Sequence, residues 1–300
     1  MLIVIGVILI ADIVIAYRLN WAFKHFIPET RPFDELPEDE LPSVTVCIPA
    51  RNEKHAMTVC LESVVASQYP KLEIIVLDDE SRDDTDLLIK SFAHAGVRFV
   101  EGSPLPSGWL GKNHALDSLL KEASGKYVLF MDVDTRIEPQ TVSQLVAYAA
   151  SEKADMVSVL PRRHDGLRAS VIFATMRFFW EILLQQRTTP AVASSAWMVN
   201  RKVLADELGG FAAYPVKTRP ELAIARLLAA KDRYRFVISG QWLGVRYEKK
   251  WSSQIETSLR LYYPWLGKSW LQTLSAAGIL IIMLVPYFYI AIGVLLGGPL

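Results

Sequence analysis

Short apolar runs alternate with segments of helical spacing through the middle of the chain, and this alternation restricts the possible folds more than any other feature. The runs are rich in Val, Ile, Leu and Phe, which is typical of strands covered on both faces of a sheet. They lie at residues 43–48, 73–78, 127–132, 156–160 and 192–199. Strand and helix patterns that alternate over about 200 residues predict an α/β fold. We expect a mostly parallel sheet flanked by helices, in one domain at residues 43–250.

Polar residues follow three of these runs directly. They are Pro49, Ala50, Arg51, Asn52 and Glu53 after the first run, Asp78, Asp79, Glu80 and Ser81 after the second, and Asp132 and Asp134 after the third. In an open α/β sheet, ligands bind beyond the carboxyl ends of the strands. One such cluster is an ordinary loop, whereas three at equivalent positions predict a single binding crevice.

Asp132 and Asp134 stand two positions apart after an apolar run. Two carboxylates in this arrangement are hard oxygen ligands for a divalent cation that also takes diphosphate oxygens. A strand end followed by a turn is the alternative interpretation of an isolated pair. The acidic residues after the earlier strand favour the metal site, and Asp79 would then accept a hydrogen bond from a nucleotide base or ribose.

The two ends of the chain carry its excess of hydrophobic residues, which make up 51% of the whole. Residues 1–17 contain one charged side chain, Asp12, and residues 271–300 contain none. About 20 apolar residues in a helix span the hydrocarbon core of a membrane. We therefore expect transmembrane segments at 1–23 and 271–300. A signal peptide is the alternative for the first, although no basic region or cleavage motif accompanies it.

Every Lys and Arg lies between Arg18 and Lys268, which by the positive-inside rule predicts an integral protein of the cell membrane with its central domain in the cytoplasm. Residues 24–42 contain four prolines and six acidic residues, as a stiff, solvated linker does. Residues 251–270 mix Tyr and Trp with basic side chains, which is typical of an interfacial segment.

The charges of the chain balance, with 32 Lys and Arg against 32 Asp and Glu. A chain without net positive charge is not expected to bind nucleic acid through phosphate contacts. Its two cysteines, Cys47 and Cys60, are too few for a disulfide framework or a zinc site. We expect them to be reduced and buried as small apolar side chains.

The ordered motifs P-A-R-N-E, I-V-L-D-D-E-S and F-M-D-V-D resemble those of glycosyltransferase family 2, inverting enzymes of the GT-A fold. Residues 106–115 are similar to the W-x-G-K-x-x-A segment of its membrane-bound branch. That branch glycosylates lipids and includes carotenoid- and hopanoid-associated members. The resemblance covers residues 43–250.

The resemblance implies roles for particular residues. It places Pro49, Ala50, Arg51, Glu53 and Asp79 around the uridine of a UDP-sugar, Lys112 and Asp132 near the nucleotide or its phosphates, and Asp132 and Asp134 on Mn²⁺ or Mg²⁺. Arg246 stands where the lipid-modifying branch carries an Arg-aromatic segment, so it either contacts phosphate or lies on a solvated face.

The catalytic base departs from the family pattern. Family members often place Glu-Asp after Gly-Gly-Phe and ahead of an apolar helix, whereas this chain has Pro220 and Glu221 there. Inversion requires one carboxylate to take the proton of the acceptor, and Glu221 is the best placed candidate. Its alternative role is that of an acidic residue in the first turn of a helix. Glu80 also replaces a frequent glycine, which predicts a changed loop.

These features predict a metal-dependent inverting hexosyltransferase that moves a sugar from a UDP-sugar to a lipid or isoprenoid-like acceptor. A Q-x-x-R-W signature, typical of processive polysaccharide synthases, is absent. The aromatic stretch at 258–270 favours an acceptor held at a membrane surface, and the stretch at 167–184 is either a second interfacial element or a core helix. Two alternatives are open: a polyprenyl-phosphate sugar transferase, and a nucleotide-binding member without catalytic activity.

Overall fold

The computed structural model describes residues 2–26, 36–163, 182, 189–248, 267–279 and 281–282. The chain divides into two compact units, one of Met1–Lys24 with Lys250–Leu300 and the other of His25–Lys249. Each unit is described by itself. The candidate site belongs to the unit His25–Lys249.

Helices and strands alternate through this unit as the sequence predicts. The strands are β1 Val44–Ala50, β2 Leu72–Asp78, β3 Val97–Glu101, β4 Tyr127–Met131, β5 Thr135–Arg136, β6 Met156–Leu160, β7 Arg162–Arg163, β8 Ala196–Asn200, β9 Tyr234–Ile238 and β10 Arg246–Tyr247. Within the described residues, the helices include α1 Leu2–Phe26, α2 Lys54–Val65, α3 Thr85–Ser91, α4 Gly111–Glu122, α5 Thr141–Ser151 and α6 Pro220–Ala229. Short helical turns lie at Ala93–Ala95, Val203–Glu207 and Phe211–Ala213.

Seven strands form the central sheet in the order β3-β2-β1-β4-β8-β6-β9. All neighbours are parallel except that β8 runs antiparallel to both β4 and β6. The carboxyl ends of β2, β1 and β4 therefore meet at one edge of the sheet. A small second sheet has the order β5-β10-β7.

Apolar side chains cover both faces of the central strands. Leu129 and Met131 of β4 point into a core that includes Met57 and Leu61 of α2. On the opposite face, the ring of Phe130 lies 4.6 Å from that of Trp197. Burial of a large apolar side chain stabilises the fold by about 1.5–3 kcal/mol, which explains why β4 is apolar along its whole length.

The five predicted strands are present as β1, β2, β4, β6 and β8. Two more strands, β3 and β9, form the edges of the sheet and were not predicted. Arg98 and Arg235 lie within them and pair with exposed acidic side chains. Charged residues are tolerated at sheet edges, and they interrupt the apolar runs by which the other strands are recognised.

The membrane predictions concern the other unit. Its described helix α1 covers Leu2–Phe26, and residues 270–279 are also helical. Within the part of the chain that the structure describes, no helix is both long enough and apolar enough to cross a membrane. The transmembrane segments predicted at 1–23 and 271–300 are therefore not supported. Most of the interfacial segment predicted at 251–270 lies outside the described residues. So do residues 249–266 and 283–300, and residues 164–188 apart from Ile182.

Both cysteines are free and fully buried, as the sequence predicts. Burial raises the pKa of each thiol, that of Cys60 to about 12. The thiolate is the reactive form, so at pH 8 neither cysteine should react with a thiol reagent such as DTNB in the native protein. We expect both to react in 6 M guanidinium chloride. A thiol that reacts within seconds under native conditions would contradict this prediction.

Candidate active site

The three polar clusters lie together at the carboxyl edge of the sheet. Ala50 and Asp78 are register partners at the ends of β1 and β2. The backbone N–H of Asp79 donates to the carbonyl of Ala50 at 2.8 Å. After β4, the N–H of Asp132 donates to the carbonyl of Ser195 at 3.0 Å. The crevice predicted from the sequence therefore has its residues in one place.

The loops after β1 and β2 are joined by several hydrogen bonds. The N–H of Asn52 donates to Oγ of Ser81 at 2.9 Å, and Oδ1 of Asn52 accepts from the N–H of Arg82 at 2.8 Å. Nη1 of Arg51 lies 3.3 Å from Oδ2 of Asp79, whose carboxylate is mostly buried. These contacts hold Arg51 and Asp79 side by side in the crevice.

Glu80 adopts a left-handed backbone conformation with φ of 53°. Glycine adopts this conformation without steric cost, whereas other L-residues do not. The loop therefore has a conformation suited to glycine, although glutamate occupies the position.

Replacing Glu80 by glycine should stabilise the fold. The left-handed conformation costs a residue with a side chain about 1–2 kcal/mol, and the extra freedom of glycine in the unfolded chain offsets about 0.4–1 kcal/mol. We expect the free energy of unfolding, measured with urea, to rise by about 0.5–1 kcal/mol. Glu80→Ala keeps the Cβ and should give no such gain. A loss of stability in Glu80→Gly would refute the explanation.

The segment before α4 closes over Asp79. A Cβ placed on Gly111 would lie 3.5 Å from Oδ2 of Asp79, so the backbone at this glycine lies close to the carboxylate. Next to it, Nζ of Lys112 lies 2.6 Å from Oδ1 of Asp132. Both side chains are partly exposed. The first turn of α4 thus brings a cation to the crevice and pairs it with an aspartate.

Asp134 has different neighbours from Asp132. One potential ligand atom from each of Glu53, His55 and Asp134 lies within 4.8 Å of the others. The sequence predicted a metal site on Asp132 and Asp134, whereas the three potential ligands grouped here include only Asp134. Two carboxylates and an imidazole fit a divalent cation such as Mn²⁺.

Glu221 lies in the first turn of α6 and is 5% exposed. Burial raises the pKa of its carboxyl group; the charges of Arg219 and Lys112 oppose this shift, and that of Asp132 adds to it. Nε of Arg219 lies 3.5 Å from Oε1 of Glu221. Because Lys112 and Asp132 act on its charge, Glu221 shares their electrostatic environment.

Asn113 links α4 to the chain that leads into α6, and sequence reasoning gave it no role. Its Nδ2 donates to the carbonyls of Tyr214, Pro215 and Lys217 at 2.7, 3.2 and 2.9 Å. The N–H of Leu110 also donates to Pro215 at 2.9 Å. Asn113 is buried on the apolar face of α4. An amide on the buried face of a helix is the sequence signal that could have identified it.

Gly102 was also not predicted, although it determines the position of the second cluster. Its N–H donates to the carbonyl of Asp78 at 2.8 Å. A Cβ at this position would lie 2.6 Å from that carbonyl oxygen and 3.1 Å from Cα of Asp79. Only glycine permits this close approach.

Gly102→Ala should therefore displace Asp79. We expect overpacking to cost about 1–3 kcal/mol of stability. The affinity for UDP, which the family resemblance places beside Asp79, should fall about tenfold as measured by calorimetry, equivalent to about 1.4 kcal/mol. Gly240→Ala is the matched control, because a Cβ there meets no atom within 4 Å. Unchanged UDP affinity in Gly102→Ala would contradict the prediction.

Arg246 lies in the small sheet rather than at the end of a main strand. Its guanidinium pairs with the carboxylate of Glu138. The carbonyl of Asp134 accepts a hydrogen bond from the N–H of Glu248 at 3.0 Å, so β10 lies beside the aspartate loop. Gly244 has a φ of 60° and packs against Glu138. A Cβ added to Gly244 would lie 2.3 Å from Cγ of Glu138.

Comparison with known proteins identifies the family. The profile of Glycosyl transferase family 2 matches residues 45–208. The chain is 33% identical over 136 residues to the probable glycosyltransferase YdaM of Bacillus subtilis, covering 43% of this chain and 32% of YdaM. It is 31% identical over 134 residues to 4,4'-diaponeurosporenoate glycosyltransferase of Staphylococcus aureus, covering 42% and 35%. The chain thus spans about a third of the length of these relatives.

Solved structures share the fold. The mannosyltransferase PcManGT from Pyrobaculum calidifontis, in complex with GDP-Man and Mn²⁺, has a TM-score of 0.61 and 21% identity over 86% of this chain and 71% of its own. Residues 1–349 of S. aureus TarS, in complex with UDP, have a TM-score of 0.52 and 18% identity over 75% and 65%. The mostly parallel sheet with flanking helices is thus the GT-A fold, and the chain belongs to glycosyl transferase family 2.

Proposed function

We propose that this chain transfers a sugar from a UDP-sugar to a lipid-like acceptor with inversion at the anomeric carbon. One observation carries the proposal: the Lys112–Asp132 pair lies in the electrostatic environment of a buried carboxylate, Glu221. A cationic group and a base of raised pKa are what the departure of a nucleoside diphosphate and the deprotonation of an acceptor require. The complex of TarS with UDP supports a uridine donor.

The donor would occupy the carboxyl edge of β1 and β2. Pro49, Ala50 and Arg51 would line the uridine, and Asp79 would accept a hydrogen bond from its base or ribose. Lys112 in the first turn of α4 would contact the diphosphate, and the N-terminal dipole of that helix also favours an anion. Arg246, near the end of the domain sequence, is a further candidate for a contact with the diphosphate of the donor.

A divalent cation, Mn²⁺ or Mg²⁺, fits the acidic side of the crevice. Asp134 is the residue we propose to hold it, and Asp132 would lie on the nucleotide side with Lys112. When bound, such an ion neutralises the charge that develops on a departing diphosphate. The Mn²⁺ in the PcManGT complex supports a metal-dependent reaction.

Glu221 would act as the general base. Its carboxylate takes the proton of the acceptor as the acceptor oxygen attacks the anomeric carbon. The bond from that carbon to the β-phosphate oxygen breaks at the opposite side, and UDP leaves with the electron pair. A buried carboxyl group of raised pKa is better matched to this proton transfer than an exposed one.

The acceptor proposal rests on the similarity to a diaponeurosporenoate glycosyltransferase. The aromatic stretch at 258–270, which favours an interfacial acceptor in the sequence, and the stretch at 167–184 lie largely outside the described residues. Membrane association of the full chain is a separate prediction, which carbonate extraction of membranes would test.

Release of UDP tests the proposed function. The purified chain would be supplied with a panel of UDP-sugars and GDP-mannose, with lipid extract, and with Mn²⁺ or EDTA. We expect UDP release that requires both metal and lipid, and its loss in Asp134→Ala. Glu62→Gln, an exposed change on α2, is the control. If UDP binds but no donor is consumed, the chain binds nucleotides without catalysing transfer, and the proposal fails.

A further inference from the structure

We infer that Arg219 is a positioning residue for Glu221. Its guanidinium holds the Glu221 carboxylate and ties the start of α6 to the segment at 192–195, which leads into β8. The inference rests on the proposed function, in which Glu221 takes the proton of the acceptor. Sequence reasoning gave Arg219 no role of its own.

The backbone at the start of α6 separates the helix from Arg219. Pro220 occupies the first position of the helix, where its missing N–H costs no hydrogen bond. A residue that precedes proline is disfavoured in the helical conformation, and Arg219 has φ of −134° and ψ of 77°. The helix therefore begins after Arg219, and the side chains on either side of Pro220 can meet.

The guanidinium of Arg219 contacts two groups at once. Its Nε lies 3.5 Å from Oε1 of Glu221, and its Nη2 donates to the carbonyl of Val192 at 2.9 Å. The side chain of Arg219 is 21% exposed and that of Glu221 is 6% exposed. A guanidinium is a rigid plane with donors in fixed directions. The hydrogen bond to Val192 therefore also fixes the direction of the edge that faces Glu221.

The segment that receives this hydrogen bond is itself held firmly. Val192 and Ala193 are fully buried. The N–H of Ala193 donates to Oγ of Ser158 at 2.8 Å, and this hydroxyl donates to the carbonyl of Ala193 at 2.9 Å. The carbonyl of Ser195 accepts from the N–H of Asp132 at 3.0 Å. One buried segment thus fixes both the guanidinium and the loop after β4.

The charges around Glu221 give the guanidinium a second effect. Burial raises the pKa of the Glu221 carboxyl group; the charge of Arg219 opposes this shift most, that of Lys112 opposes it less, and that of Asp132 adds to it. Lys112 and Asp132 are paired at 2.6 Å, so their charges largely cancel. Of these three groups, Arg219 supplies the net positive charge. A buried carboxylate that loses its cation takes up a proton instead, and a protonated carboxyl group cannot act as a base.

Replacing Arg219 by methionine tests the inference, because methionine keeps an apolar stem and removes the charge. We expect kcat for UDP release to fall about 10–100-fold, while the affinity for UDP stays within about threefold. The acidic side of the pH profile of kcat should move to higher pH. Arg226→Met is the matched control, since it makes the same change at an exposed position of α6.

Replacing Arg219 by lysine separates charge from geometry. Lysine keeps the positive charge and lacks the planar fork. The pH profile should therefore return towards that of wild type, while kcat recovers only in part. If Arg219→Met does not fold, this variant carries the test, with a lowered kcat as the expected result.

Three kinetic results would overturn the inference. The first is wild-type kcat and pH profile in Arg219→Met. The second is a lowered melting temperature with unchanged kcat at a permissive temperature, which would make Arg219 a structural anchor only. The third is a loss of UDP affinity as large as the loss of kcat, which would place Arg219 on the donor.

Infrared titration gives a measurement that does not depend on turnover. Difference spectra between each protein and its Glu221→Gln counterpart isolate the band of the Glu221 carboxyl group. We expect Glu221 to take up its proton at higher pH in Arg219→Met than in wild type, and an equal midpoint would overturn the inference. If wild type releases no UDP while the midpoint shifts as expected, the proposed function fails and the effect of Arg219 on Glu221 stands.

Discussion

Replacing Glu221 by glutamine should abolish sugar transfer. Glutamine has nearly the same shape and cannot accept a proton at neutral pH, so we expect kcat to fall about 10²–10⁴-fold. The affinity for UDP should stay within about threefold of wild type, because Glu221 lies at the proposed acceptor side of the crevice. Steady-state rates of UDP release and calorimetric titration with UDP measure the two quantities separately.

The raised pKa of Glu221 determines the direction of two further effects. The carboxyl group must be ionised to act as a base, so activity should fall with decreasing pH at values above the ordinary pKa of glutamate. A carboxyl pKa that is higher in the folded than in the unfolded state lowers stability as pH rises through the interval between the two values. Glu221→Gln removes this loss, so its melting temperature at pH 7 should equal or exceed that of wild type.

Glu62→Gln is the matched control for Glu221→Gln, because it makes the same chemical change at an exposed position. It should alter neither kcat nor the melting temperature. If Glu221→Gln keeps wild-type kcat, the base lies elsewhere. If wild type and Glu221→Gln are both inactive while UDP still binds, Glu221 is only an acidic residue of the first turn of α6. The chain is then a family member without catalytic activity.

Replacing Asn113 by leucine should have the second largest effect. The side chain is 2% exposed and donates to three carbonyls of the segment at 214–217, four to seven residues before Glu221. Leucine fills a similar volume and leaves these buried acceptors unsatisfied, at a cost of about 1–3 kcal/mol. The segment should shift, and displacement of a catalytic group by about 1 Å costs about 10²-fold in rate.

The kinetic signature distinguishes positioning from general stability. In Asn113→Leu we expect kcat to fall about 10–100-fold while UDP affinity changes little, because the described side-chain hydrogen bonds of Asn113 all go to the segment at 214–217. Lys217→Ala is the control, since it truncates an exposed side chain and keeps the carbonyl that Asn113 contacts. A lowered melting temperature with unchanged kcat at a permissive temperature would show that Asn113 contributes only to stability.

Much of the architecture follows from residue patterns alone. A strand covered on both faces must be apolar along its length, as Val46 and Ile48 of β1 and Leu129 of β4 are, so the inner strands are recognisable. Edge strands need not be apolar along their length because one side faces solvent. Arg98 in β3 and Arg235 in β9 interrupt the apolar pattern, so these two strands were not predicted. The membrane prediction relied on composition at the two ends, and the described helices do not support it.

The candidate site shows the same division. The sequence alone determined that Asp79, Asp132 and Asp134 lie at one edge of a parallel sheet, because strand direction and right-handed connections leave no other place for residues that end successive strands. Only the tertiary structure decided their partners: Lys112 pairs with Asp132, Glu53 and His55 approach Asp134, and Asn113 holds the segment before Glu221. These contacts join residues 20 to 104 positions apart. They depend on loop conformation and side-chain packing, which no local pattern of residues specifies.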